Sequence, residues 1–188
     1  MMRIAMALTV VLLLSAPTGA QGPTAPGSPL ALLVKPRVQK ELKLDEEQAA
    51  TVKKLHGTVS ENPKAAGSAY RALAKALTPE QARRLKQISY QARGGVAIGD
   101  NDVAKALGLT AKQKEEVKAV WVDEEKTLQM YLKVARFRNN SSQLRQKFIN
   151  EHRKKAGEKM LGVLSEAQQK QFAEMKGEKF DLAGLDLD

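Results

Sequence analysis

The chain has 188 residues, no cysteine and a formal net charge of +10. The missing cysteine excludes disulfides, thiol chemistry and lipid attachment at a mature N-terminal cysteine. Aromatic residues make up only 4% of the chain, Lys, Glu, Gln, Ala and Leu are abundant, and β-branched runs are absent; this is the composition of an all-α protein.

Residues 1–20 read as a secretory signal. Arg3 supplies the positive charge, Ile4 to Leu14 is apolar apart from Thr9, and small residues lead to a cut after Ala20. The apolar run is short for a spanning helix, so an uncleaved anchor is the lesser alternative. Residues 21–34, with Gly22, Pro23, Pro26, Gly27 and Pro29, are expected to be a linker. A helical domain over 35–176 and an acidic irregular tail over 177–188 complete the expected organisation. Export without cysteine fits a bacterial envelope, with the mature protein in the periplasm or secreted.

Four helix starts repeat one pattern: a Leu, a capping residue, two variable residues and a Gln. They are Leu44-Asp45 with Gln48, Leu77-Thr78 with Gln81, Leu109-Thr110 with Gln113, and Leu164-Ser165 with Gln168. Asp, Thr or Ser accepts from a free N–H of the first turn, and a Gln three residues later reaches back to the cap N–H. Apolar residues follow at eight and eleven positions past each Leu: Val52 and Leu55, Leu85 and Ile88, Val117 and Val120, Phe172 and Met175. They share a stripe with the Gln. A charge there would be costly to bury, which offers a reason for Gln over Glu. The glutamines either cap helices only or also bind a partner.

Helices are predicted over about 35–43, 46–60, 66–76, 79–93, 100–106, 111–138, 142–162 and 166–175. Breaks are expected at Gly57, Gly67, Gly94-Gly95, Gly99 and Gly108. Residues 38–55 align with 103–120 at an offset of 65, with seven identities in the eighteen positions. The second and fourth motifs share an apolar residue four before the Leu, Leu73 and Met160, at an offset of 87. A tandem duplication explains both, with halves of about 35–98 and 99–176; convergent helix starts are the alternative. The offsets differ by 22 residues, so the second antiparallel hairpin should be longer by 11 residues, about 16 Å, in each arm. Asn139-Asn140-Ser141-Ser142 is its expected turn.

The longer hairpin is basic. Residues 133–159 hold nine Lys and Arg against Glu151 and Glu158. Lys133, Arg136, Arg138, Arg145, Lys147, Arg153, Lys154 and Lys155 are the candidate contacts to an anionic partner, against the plainer reading of a solvated helical face. Export argues against nucleic acid; acidic unfolded chains, anionic lipid or envelope polymer fit better. No catalytic constellation, metal site or cofactor motif is present. His56 and His152 stand alone, and Met130, Met160 and Met175 fall at core spacing.

Leu77-Thr78-Pro79-Glu80-Gln81 and Leu109-Thr110-Ala111-Lys112-Gln113 match the LTxxQ motif. The chain resembles the periplasmic LTxxQ-motif family of Spy- and CpxP-like proteins, in character over residues 36–176 and in detail over the motifs. The resemblance implies an exported all-helical envelope-stress protein, a homodimer, and ATP-independent chaperone activity on unfolded clients. It departs from the family in having two close copies flanked by two variants. It also lacks the histidines of the zinc-linked members, so metal binding is not carried over. The expected function is therefore a non-enzymatic envelope chaperone or stress-response binder. The alternative is a structural module docking its basic hairpin on an anionic membrane or envelope polymer.

Overall fold

The computed structural model describes residues 27–137 and 141–185. Among these residues every regular element is helical and there is no strand. The α-helices are α1 (Pro29–Leu33), α2 (Pro36–Glu41), α3 (Glu46–Glu61), α4 (Ala66–Ala76), α5 (Pro79–Arg93), α6 (Asn101–Ala106), α7 (Ala111–Phe137), α8 (Ser142–Val163) and α9 (Glu166–Met175). Short 3₁₀ segments cover Pro63–Ala65 and Gly94–Gly99.

All four motif starts are closed capping boxes. Gln48 N–H donates to the Asp45 carboxylate at 2.8 Å while the Asp45 N–H donates to Gln48 Oε1 at 3.2 Å. The same reciprocal pair joins Thr78 with Gln81, Thr110 with Gln113 and Ser165 with Gln168, at 2.9–3.3 Å. The apolar residues behind each Gln point inward. Val52, Leu85, Ile88, Val117 and Phe172 are buried, and Leu55, Val120 and Met175 pack against them.

Two apolar clusters result. The first joins Val38, Val52, Leu73 and Leu85; the second joins Val103, Val117, Met160 and Phe172. These four pairs of residues stand at the offsets of 65 and 87. The turn after α2 and the turn after α6 also match. Lys43 and Gly108 both take a positive φ, 51° and 61°, and each donates its N–H to the carbonyl three residues back at 3.1 Å. Glycine at 108 avoids the Cβ clash that Lys43 tolerates.

The two hairpins differ in length as the offsets require. α7 has 27 residues against 16 in α3, and α8 has 22 against 11 in α4. Each arm of the second hairpin is therefore 11 residues, about 16 Å, longer. Ser141 caps α8, its side chain accepting from Leu144 N–H at 3.3 Å. Asn139 and Asn140 of the expected turn lie outside the described residues.

Two expectations need correction. The linker expected over 21–34 is helical and buried in its described part: Ser28 caps α1, Pro29 opens it, and Leu30, Leu32 and Leu33 enter the first cluster. Pro and Gly near the start hid an apolar face too short for periodicity to reveal. The tail is irregular over its described residues, as expected, and it is also packed. Arg84 donates to the Glu178 carbonyl at 2.7 Å, Gln91 bonds Lys176, Glu178 and Phe180, and Phe180 and Leu185 are buried in the first cluster. Arg37 donates to Ala183 O and to the Asp181 carboxylate, holding that carboxyl below its usual range. Finally, Gly57 lies inside α3 and Gly67 in the first turn of α4, so neither breaks a helix.

The halves meet at the end of α5. Arg93 forks onto Asp100 with bonds of 2.6 and 2.7 Å. The 3₁₀ segment that follows lies against α8, where a Cβ on Gly95 would sit 2.1 Å from the Gly157 carbonyl oxygen. Backbone touches backbone there, which at position 95 only glycine allows.

Candidate functional site

The motif glutamines do more than cap. Gln48 and Gln81 face each other and exchange amide bonds, Nε2 to Oε1 at 2.9 Å one way and 3.1 Å the other. The second hydrogen on each Nε2 goes to a helix-end carbonyl, Ala76 for Gln48 and Leu42 for Gln81. Gln113 and Gln168 repeat this set, with exchange at 2.7 and 3.2 Å and bonds to Val163 and Leu107. Each carbonyl in the second half stands 65 or 87 residues after its counterpart in the first. Every donor and acceptor of these four half-buried amides is engaged, which leaves them no free group for a partner.

The long hairpin is a different surface. Its base is fixed by the Gln113–Gln168 pair and by Val117 and Met160 in the second cluster. Higher up, Glu124 is only 8% exposed and receives Lys159 Nζ at 2.7 Å and contacts His152 Nδ1 at 2.9 Å. Burial pushes the Glu124 carboxyl up, but the bonds from Lys159 and His152 outweigh it and hold the group below its ordinary value. Above this cluster Phe148 stacks on Tyr131, with centroids 3.4 Å apart, and tilts against His152 at 4.2 Å. His152 thus has a carboxylate partner 28 residues away in sequence, beyond the reach of any local pattern.

Outside this spine the arms present apolar side chains to solvent. Among the described residues, all the exposed large hydrophobics lie on α7 and α8: Val122 at 44%, Met130 at 70%, Val134 at 50% and Leu144 at 56%. Met130, expected in the core, is the most exposed of them, whereas Met160 is buried and Met175 packed. The helical phase could have shown this. The inward stripe of α7 runs through Val117, Trp121, Glu124, Leu128, Tyr131 and Ala135, and Met130 and Val134 fall off it.

The described basic candidates differ in exposure. Lys133, Lys147, Lys154 and Lys155 are exposed along the arms. Arg145 is half-buried, and Arg138 and the side chain of Arg136 lie outside the described residues. Arg153 turns toward the 3₁₀ segment and lines a groove with Lys154, Gly95 and Gly157; burial there lowers its pKa, with Glu125 opposing the shift. Lys159 is bonded to Glu124. No group of His and acidic side chains able to hold a metal is found among the described residues, and none of their helices is long and apolar enough to cross a membrane.

The Glu124 cluster makes the upper hairpin sensitive to acid. A carboxyl with a depressed folded-state pKa adds stability above its unfolded value, and that stability is lost as pH falls through the folded value. Lys159, His152 and Asp123 are the titratable groups around it. Amide exchange in α7 and α8 near residues 124 and 152 should therefore speed up below the carboxylate range, earlier than at the Gln113–Gln168 base. Glu124→Gln should remove that difference.

Searches against family models, curated proteins and solved structures return no match to this chain.

Proposed function

We propose that the chain is an exported, non-enzymatic envelope protein that holds unfolded or partly folded clients, in the manner of an ATP-independent chaperone. The observation that carries this reading is the hairpin: exposed Met130, Val134 and Leu144 stand among exposed Lys133 and Lys147 on arms longer than the fold needs. Apolar side chains rarely gather on a free surface without a partner to cover them. Lysines beside them speed encounter with acidic chains, and a flexible methionine adapts to varied apolar segments. The signal-like N-terminus and the LTxxQ starts support placement in the envelope. The matched hydrogen-bond sets at offsets of 65 and 87 support a duplication, after which one hairpin was extended for binding.

The charge argument has its own test. Replacing Lys133, Lys147, Lys154 and Lys155 together with Gln should weaken binding to an acidic unfolded protein by at least about tenfold at low salt. Stability should change by less than about 1 kcal/mol, because exposed charges contribute little. The parent's affinity should fall toward the variant's at 0.15 M salt, where screening shortens to about 8 Å. Equal affinities at both ionic strengths would leave the arms as a solvated extension. Preference for anionic vesicles over the unfolded protein would favour docking on a membrane surface.

A further inference from the structure

We propose that the cavity at the foot of the long hairpin, between the 3₁₀ segment Gly94–Gly99, α6 and the start of α7, binds a small amphiphilic anion, for which a medium-chain carboxylate is the probe. This site is separate from the exposed face of the arms. Its volume is about 630 Å³, within the range of small-ligand pockets. Val96, Ile98, Leu109, Val117 and Trp121 supply apolar wall.

Two lining residues carry buried donors that nothing satisfies. Trp121 Nε1 and Arg93 Nε have no hydrogen-bond partner, although buried N–H groups are almost always bonded. The rest of the Arg93 guanidinium is already occupied, forked onto Asp100. Free positive charge comes instead from Lys105, Lys114 and Lys118, which line the cavity and make no ion pair with a described residue; Glu115 is the one unpaired acid there. An apolar floor, orphan donors and surplus lysines together select a ligand with an apolar body and an anionic head. The planar fork of Arg93, which would grip carboxylate or phosphate alike, is taken by Asp100, so the lysines hold the anionic head as point charges.

The repeated plan does not by itself create the site: the counterpart of Trp121 at the offset of 65 is His56, and that of Arg93 at the offset of 87 is Phe180.

Trp121 is the only tryptophan in the chain, so its emission reports this cavity directly. The full chain should be titrated with sodium decanoate below its micellar limit, and in parallel with uncharged decanol. The expected result is a saturable change in emission with decanoate and at least tenfold weaker binding of decanol. A Lys114→Glu, Lys118→Glu variant, altered only at exposed positions, should weaken decanoate at least tenfold with an unchanged urea midpoint. Calorimetry on both proteins provides a second readout. No saturable response up to the micellar limit, equal binding of decanol, or an unaffected variant would each overturn the proposal.

Discussion

Gly95→Ala should be among the most damaging single substitutions in this protein, at about 3 kcal/mol, the upper end for overpacking a close contact. The new Cβ would meet the Gly157 carbonyl oxygen at 2.1 Å, its carbon at 2.6 Å and its Cα at 2.9 Å. These are backbone atoms inside α8, so no side-chain rotation relieves the clash. The 3₁₀ segment would have to lift off the long hairpin. Gly157→Ala faces the same contact but meets its nearest atoms at 3.2–3.3 Å, which a small shift can accommodate. It also gains helix propensity of about 1 kcal/mol, so its net effect should be near zero. Gly99→Ala has nothing within 4 Å and serves as the neutral control. Urea midpoints of the three variants check the ordering; a Gly95→Ala protein as stable as Gly99→Ala would show that the two segments do not meet as described.

The second large effect is expected at the glutamine pairs. Gln81→Ala removes the bond to Thr78 N–H, the bond to the Leu42 carbonyl and both bonds with Gln48. Unsatisfied buried groups cost about 1–3 kcal/mol, and partial exposure lets water recover some of it, so about 2–3 kcal/mol should be lost. Gln48→Ala should lose a similar amount. The double variant should fall short of the sum by about 1–2 kcal/mol, since the second change removes an interaction already broken. Gln81→Glu separates pairing from capping. A glutamate closes a capping box as well as a glutamine does. It cannot donate to the Leu42 carbonyl or to Gln48 Oε1, so it should destabilise at least as much as alanine. Additive losses, or a harmless Gln81→Glu, would reduce these residues to ordinary caps.

That contrast marks where the sequence stops being informative. The helix starts were legible because a cap and its Gln sit three residues apart, and local spacing fixes local bonds. Chain arithmetic then located the longer hairpin, since 11 extra residues in each arm need only the helical rise. The reason for Gln over Glu was not legible. The cost of burying a charge is only part of it, because the amide also donates to residues 33 and 55 positions away. Glu124 with His152 escaped for the same reason. The burial of α1 and of Phe180 and Leu185 escaped because neither segment is long enough to show a period. The spacing of Met130 suggests core, whereas its phase against Val117, Glu124 and Ala135 on α7 places it in solvent.

The function proposed for the long hairpin rests on residues that the fold can do without. In the first hairpin four residues, Asn62–Ala65, join α3 to α4. At the two offsets their counterparts are residues 127–152, which include Met130, Val134 and Leu144 and five basic residues against Glu151. Replacing 127–152 with Asn-Pro-Lys-Ala should yield a folded protein, because the Gln113–Gln168 pair, Gly157 and the second cluster all lie outside the exchange. The measurement is suppression of aggregation of an acidic unfolded protein by equimolar parent and trimmed chains at low salt, with a urea melt of each. The result expected is a parent that protects and a trimmed chain that melts cooperatively but has lost most of its protection. A trimmed chain that protects as well as the parent would place client binding elsewhere on the molecule and contradict the role assigned to the hairpin.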